Sequence, residues 1–121
     1  MHILIVEDEW IVSEEIRETL LATGFNESID QADRADQALD IMKDKVIDLA
    51  ILDIVIKGEM DGLALGQRIR EDFGHCHLIF LSSYYDERAE IILQEINPLA
   101  IINKPFNAGD LIQELRKIDT Q

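Results

Sequence analysis

Five polar residues stand where this 121-residue sequence leaves a short aliphatic run: Glu7 and Asp8 after residues 2–6, Asp53 after 49–52, Ser82 after 78–81, and Lys104 beyond 99–102. Carboxylates from Glu7, Asp8 and Asp53 in one crevice would repel one another, and the stable solutions are a raised pKa or a bound divalent cation. The ligands on offer are oxygens, because the single cysteine, Cys76, precedes the 78–81 run instead of following it. Such a set suits Mg²⁺ with waters completing the octahedron. An Asp beside Mg²⁺ points to phosphoryl chemistry, in which the carboxylate attacks phosphorus and forms an aspartyl phosphate while positive charge neutralises the incoming oxygens. Mg²⁺ and Lys104 would supply that charge, and Ser82 a hydrogen bond. Singly, each residue has an ordinary use: Asp8 as a helix cap, Asp53 in a turn, Ser82 as a loop hydroxyl, Lys104 as a solvated charge. Jointly they favour the chemical reading, since all four places end strands of one sheet.

They meet only if the aliphatic runs are parallel strands, and the rest of the sequence is built to make them so. The runs alternate with segments of helical period, the pattern of strands joined by crossover helices. A weaker strand is expected over residues 27–32, where Ile29 is the only large aliphatic side chain, and its place is a sheet edge. Apolar stripes mark the helices: Val12, Ile16 and Leu20; Ala38 and Met42; Leu65 and Ile69; Ala89, Ile92 and Ile96; and Leu111, Ile112, Leu115 and Ile118, the last opened by Asn107 as N-cap. Five strands alternating with five helices, with right-handed connections on both faces, predict an α/β fold. It is a doubly wound five-stranded parallel sheet of order 2-1-3-4-5 in a flavodoxin-like three-layer sandwich. Residues that end different strands of such a sheet converge on its carboxyl edge.

Composition narrows the partners. Eleven Lys and Arg against 25 Asp and Glu leave a formal charge of −14, which repels nucleic acid phosphates and anionic membranes, so neither is expected to contact this chain directly. The acid is uneven: residues 1–56 hold 14 acids to 4 bases, residues 57–121 hold 11 to 7. Length fits one domain over 1–121, and 47% hydrophobic residues suffice for a core. No run is long enough to cross a bilayer, and a lone cysteine suits a reducing, cytoplasmic setting. His75-Cys76-His77 offers no fourth ligand and is read as a partly exposed strand entrance. Trp10, two residues beyond Asp8, is expected near the acidic mouth, where its fluorescence would report Mg²⁺.

Ile3-Leu4-Ile5-Val6-Glu7-Asp8-Glu9, Leu52-Asp53, Met60-Asp61-Gly62, Leu81-Ser82-Ser83 and Lys104-Pro105-Phe106 together resemble the motifs of response-regulator receiver domains, the CheY-like superfamily of two-component signalling. The resemblance covers the whole chain. It implies Asp53 as phosphoacceptor, Asp8 and Asp53 as direct Mg²⁺ ligands with the carbonyl of Val55, and Glu7 as a water-mediated one. It also implies Ser82 as the hydroxyl that moves towards the phosphoryl group, Lys104 as the latter's partner, and a cis Lys104-Pro105 bond. The donor would be a sensor histidine kinase or histidine phosphotransfer protein, docking on the face of Glu14, Glu15 and Glu18. The downstream partner would be an output protein or domain, with a possible homodimer through the fourth helix, fifth strand and fifth helix. A protein of this kind assists its own phosphorylation and dephosphorylation and is not an enzyme for a separate metabolite. It is expected either to stand alone or to be the receiver portion of a longer regulator.

Three features depart from the family's common pattern. Glu7 replaces the more frequent Asp, the loop of residues 54–59 between Asp53 and Met60 is one residue longer than usual and lacks the frequent proline, and Ile101 occupies the usual place of an aromatic switch, so that coupling of Ser82 to an aromatic ring there cannot operate unchanged. Tyr84 and Tyr85 are expected to cover the pocket. The rivals are a Mg²⁺-dependent phosphohydrolase, which usually needs an acid two residues after the nucleophile where Val55 stands, and a pseudo-receiver that only binds partners, which the intact Asp53, Asp8 and Lys104 oppose.

Overall fold

Every residue of Leu49–Asp53 is buried, as a strand must be when helices cover both faces of its sheet. The computed structural model describes residues 1–24, 28–83 and 85–119. Its order is β1 (His2–Val6), α1 (Trp10–Ala22), β2 (Ser28–Ala32), α2 (Ala35–Asp44), β3 (Leu49–Asp53), α3 (Gly62–Asp72), β4 (His77–Ser82), α4 (Glu87–Ile96), β5 (Ala100–Asn103) and α5 (Ala108–Asp119). The strands are parallel in the expected order β2-β1-β3-β4-β5.

Alternation along the strands divides the interior into two cores. Ile3 and Ile5, Leu49 and Ile51, and Ile79 and Leu81 pack with Ile16 and Leu20 of α1 and Leu111 and Leu115 of α5. Leu4 and Val6, Ala50 and Leu52, and Leu78 and Phe80 face the other way, onto Met42, Leu65, Ile69 and Leu93 of α2, α3 and α4. Period-two patterning thus places two helices on one face and three on the other.

Differences from the sequence expectation are small and have causes. β3 and β4 run one residue further than their aliphatic runs, through Asp53 and Ser82, because backbone pairing continues where hydrophobicity stops. β5 begins at Ala100: Leu99 still donates its N–H to the Leu78 carbonyl at 2.7 Å, but the paired register starts one residue later. β2 is an edge strand, as expected, and starts at Ser28; Glu27, which opened the expected strand, lies outside the described residues. In α1 the buried stripe is Ser13, Ile16 and Leu20, with Val12 half-buried; Ser13 is tolerated inside because its hydroxyl accepts from Gln31 Nε2 at 2.8 Å. In α4 Ala89 and Ile96 are buried as expected, but Leu93 is buried between them and Ile92 is only half-buried. Asn107 caps α5 as expected, its Oδ1 accepting from Gly109 N at 2.8 Å.

Candidate functional site

Register brings the strand ends together. Val6 pairs with Leu52, Asp53 with Leu81, and Ser82 with Asn103, so Glu7, Asp53, Ser82 and Lys104 emerge on neighbouring strands at one edge. Lys104 N donates to the Ser82 carbonyl at 2.8 Å, which continues the β4–β5 ladder as far as the site. The Lys104-Pro105 bond is cis.

The loop after β3 fixes Asp53 by close backbone contact. Gly62 N donates to the Ile54 carbonyl at 2.8 Å, and a Cβ at Gly62 would overlap the Asp53 carbonyl oxygen. Only glycine permits that approach. Asp61 then caps α3 by accepting from Ala64 N at 2.8 Å, which accounts for the Asp-Gly pair of the motif. The long loop itself is pinned by buried Ile54 and Ile56 and by a parallel bridge between Lys57 and Arg34.

Four carboxylates gather here. One oxygen from each of Glu7, Asp8, Glu9 and Asp53 lies within 4.8 Å of the others. Lys104 Nζ stands among them, 2.6 Å from Asp53 Oδ2, 3.3 Å from Glu7 Oε1 and 3.4 Å from Glu9 Oε1. Asp53 Oδ1 accepts from Val55 N at 3.0 Å, so one oxygen of this buried carboxylate is held by backbone and the other by Lys104. Glu7 is buried, and burial, followed by its hydrogen bond to and repulsion from Asp53, pushes it up to about 8 against the pull of Lys104. For Lys104, burial acts downward, but the hydrogen bond and charge of Asp53 outweigh it and hold the ammonium charged.

Each expected site residue can now be located. Glu7, Asp8, Asp53 and Lys104 are brought together. Val55 lies on the rim with its side chain exposed. Ser82 is buried at the end of β4, and among the described residues its Oγ has no hydrogen-bond partner. The same holds for Glu7 Oε2. Excess buried negative charge and an unpartnered carboxylate oxygen are what a cation would relieve, so these residues fit a hard divalent ion such as Mg²⁺.

Sequence reasoning missed Glu9 as a member of the group. It is the N-cap of α1, yet its side chain makes no capping bond among the described residues and turns to Lys104 instead. Asp8 is not the N-cap of α1 and belongs to the cluster. Tyr85 packs on the α2–α3–α4 core and lines, with Ile101, a cavity of about 320 Å³ beside α4; Tyr84, also expected as cover, lies outside the described residues. Trp10 opens α1 and is 68% exposed. Cys76 is buried and its thiol pushed up to about 12, chiefly by desolvation; His75 and His77 join no cluster of metal-ligating groups among the described residues.

Comparison with known proteins agrees with this fold. Residues 3–116 match the response regulator receiver domain family. The chain is 32% identical over 117 residues to the aerobic respiration control protein ArcA of Escherichia coli, covering 97% of this chain and 48% of that protein. It is 29% identical over 119 residues to the sensory transduction protein LytR of Staphylococcus epidermidis, covering 98% and 46%. It therefore spans about half the length of these curated relatives, and only 24% of an NtrX-like response regulator of Rickettsia felis. Among solved structures it is similar to the response regulatory domain of MrkE from Klebsiella pneumoniae, with a TM-score of 0.87 at 26% identity over 99% of this chain and 96% of that one. The receiver domain of NtrX from Brucella abortus gives 0.82 at 27% identity, covering 95% of both chains.

Proposed function

Because this chain belongs to the response regulator receiver domain family, we propose that it is a phosphorylation-activated switch in which Asp53 takes a phosphoryl group from a partner's phosphohistidine. The observation that carries the reading is the 2.6 Å contact of Lys104 Nζ with Asp53 Oδ2 inside a group of four carboxylates. An ammonium on the nucleophile's own oxygen orients it and waits where phosphoryl charge will arrive.

Glu7, Asp8 and Asp53, with the carbonyl of Val55, are the residues that would hold Mg²⁺. Bound there, Mg²⁺ would supply positive charge to the phosphoryl oxygens. An Asp53 carboxylate oxygen attacks phosphorus, the bond from phosphorus to the imidazole nitrogen breaks, and the imidazole keeps the electron pair and takes up a proton. Lys104 turns an N–H to a phosphoryl oxygen. The unpartnered hydroxyl of Ser82 donates to another, which draws the end of β4 inward and alters the surface of α4, β5 and α5 read by an output protein, an output domain or a second copy. The same cluster, with water as nucleophile, serves dephosphorylation. On this reading residues 1–121 form one receiver domain, working in the cytoplasm with a histidine kinase or phosphotransfer protein, and no separate metabolite is turned over.

Intact-mass measurement after mixing with Mg²⁺ and an acyl phosphate tests this. Wild type is expected to gain one phosphate, and Asp53→Ala none. An unmodified wild type under every donor tried would favour a binding-only module.

A further inference from the structure

Lys104 has three N–H bonds and, among the described residues, three carboxylate partners: Asp53, Glu7 and Glu9. Its side chain is only 16% exposed, so it cannot shed a partner simply by swinging into water. An arriving phosphoryl oxygen must therefore displace one of the three. Asp53 is the nucleophile, held at 2.6 Å, and Glu7 is buried beside it. Glu9 makes the longest contact, 3.4 Å, from a side chain that is 66% exposed. It is also the carboxylate that forgoes its local use, since as N-cap of α1 it leaves the helix N–H groups without a side-chain acceptor.

We propose that Glu9 is a positioning residue that occupies the phosphoryl group's place on Lys104 in the resting protein and must yield it for phosphorylation to proceed. This rests on the receiver reading above and adds a brake to it. Glu9 lowers the affinity of the mouth for an incoming phosphoryl group twice over, by competing for the ammonium and by like-charge repulsion at the rim. When the phosphoryl group arrives, Glu9 swings to solvent, which costs little for a side chain already two-thirds exposed. The alternative, that Glu9 is simply one more cation-holding carboxylate, predicts a different dependence on Mg²⁺.

The test compares wild type, Glu9→Gln and Glu9→Asp at Mg²⁺ concentrations that saturate each. Two signals are followed: the rate of Asp53 phosphorylation by an acyl phosphate, read by intact mass, and the affinity for the phosphoryl analogue fluoroberyllate, which involves no turnover. Glu9→Gln is expected to phosphorylate about two- to fivefold faster and to bind fluoroberyllate tighter by a similar factor, the size of an exposed charge pair. The excess should shrink when salt is raised to about 0.5 M, whereas a purely structural role is insensitive to screening. Glu9→Asp, which keeps the charge, should stay near wild type. If Glu9→Gln is no faster and binds the analogue no tighter at saturating Mg²⁺, the brake is overturned while the receiver reading stands. If wild type gains no phosphate and binds no analogue, the receiver reading fails and takes the brake with it.

Discussion

Glu7 is placed under two opposed demands. Burial beside Asp53 favours its neutral acid, whereas holding a cation requires the carboxylate. In metal-free protein the folded group titrates near 8 and the unfolded one at its ordinary 4.5. Between those values the native state binds a proton that the unfolded state has released, so this contribution to stability is complete at the acid end and lost as pH rises through 8. Glu7→Gln removes the dependence. Urea unfolding in chelator should show the variant gaining on wild type, by about 1 kcal/mol or more, between pH of about 5 and about 8; a constant difference would mean that Glu7 ionises normally. At this scale the sequence displayed most of the site, because Glu7, Asp8, Asp53 and Lys104 each follow a recognisable strand. Glu9 was hidden for a physical reason. Its partner Lys104 lies 95 residues away, and nothing local says that an N-cap side chain will forgo its helix.

Elements were legible in proportion to their burial. β3 is apolar up to Asp53 because both of its faces are covered, while β2, an edge strand with Ala32 its one fully buried residue, left a faint pattern. Hydrophobic type located the cores but blurred the boundaries: Leu99 extended the apparent fifth strand, and Ser13 was invisible as an interior residue because its hydroxyl is satisfied by Gln31. The joint between β3 and α3 yields a prediction. Gly62→Ala places a methyl group against the Asp53 backbone, which can move only by shifting β3, and is expected to cost about 3 kcal/mol in urea unfolding and to abolish phosphorylation. Gly66→Ala meets Phe80 Cζ at 2.6 Å, a ring instead of a strand backbone. It should cost less and leave phosphorylation intact. Equal losses would deny that the Gly62 contact is special.

For the whole molecule, charge and fold are linked through the metal. Four of the 25 acids, Glu7, Asp8, Glu9 and Asp53, are gathered at the carboxyl edge of the sheet, and a divalent ion bound there would relieve repulsion that folding created. Mg²⁺ at ten times its Kd should therefore stabilise the native state by about 1.4 kcal/mol, a rise of several degrees in Tm. Asp8→Asn should respond much less, and Trp10 at the start of α1 should change fluorescence over the same titration. A melting temperature indifferent to Mg²⁺ in wild type would remove the ion from the account. The two-sided pleat has one more consequence, for changes in chain length. Asp53 follows Leu49 and Ile51 on the face of α1 and α5, whereas Ser82 follows Leu78 and Phe80 on the face of α2, α3 and α4. Deleting one residue from β3 would turn Asp53 to the wrong side of the sheet and bring a leucine or isoleucine to the mouth. Shortening the 57–59 loop by one residue leaves that facing untouched. The parity of the strands thus leaves the loops as the places where this chain can gain or lose a residue without turning the site inside out.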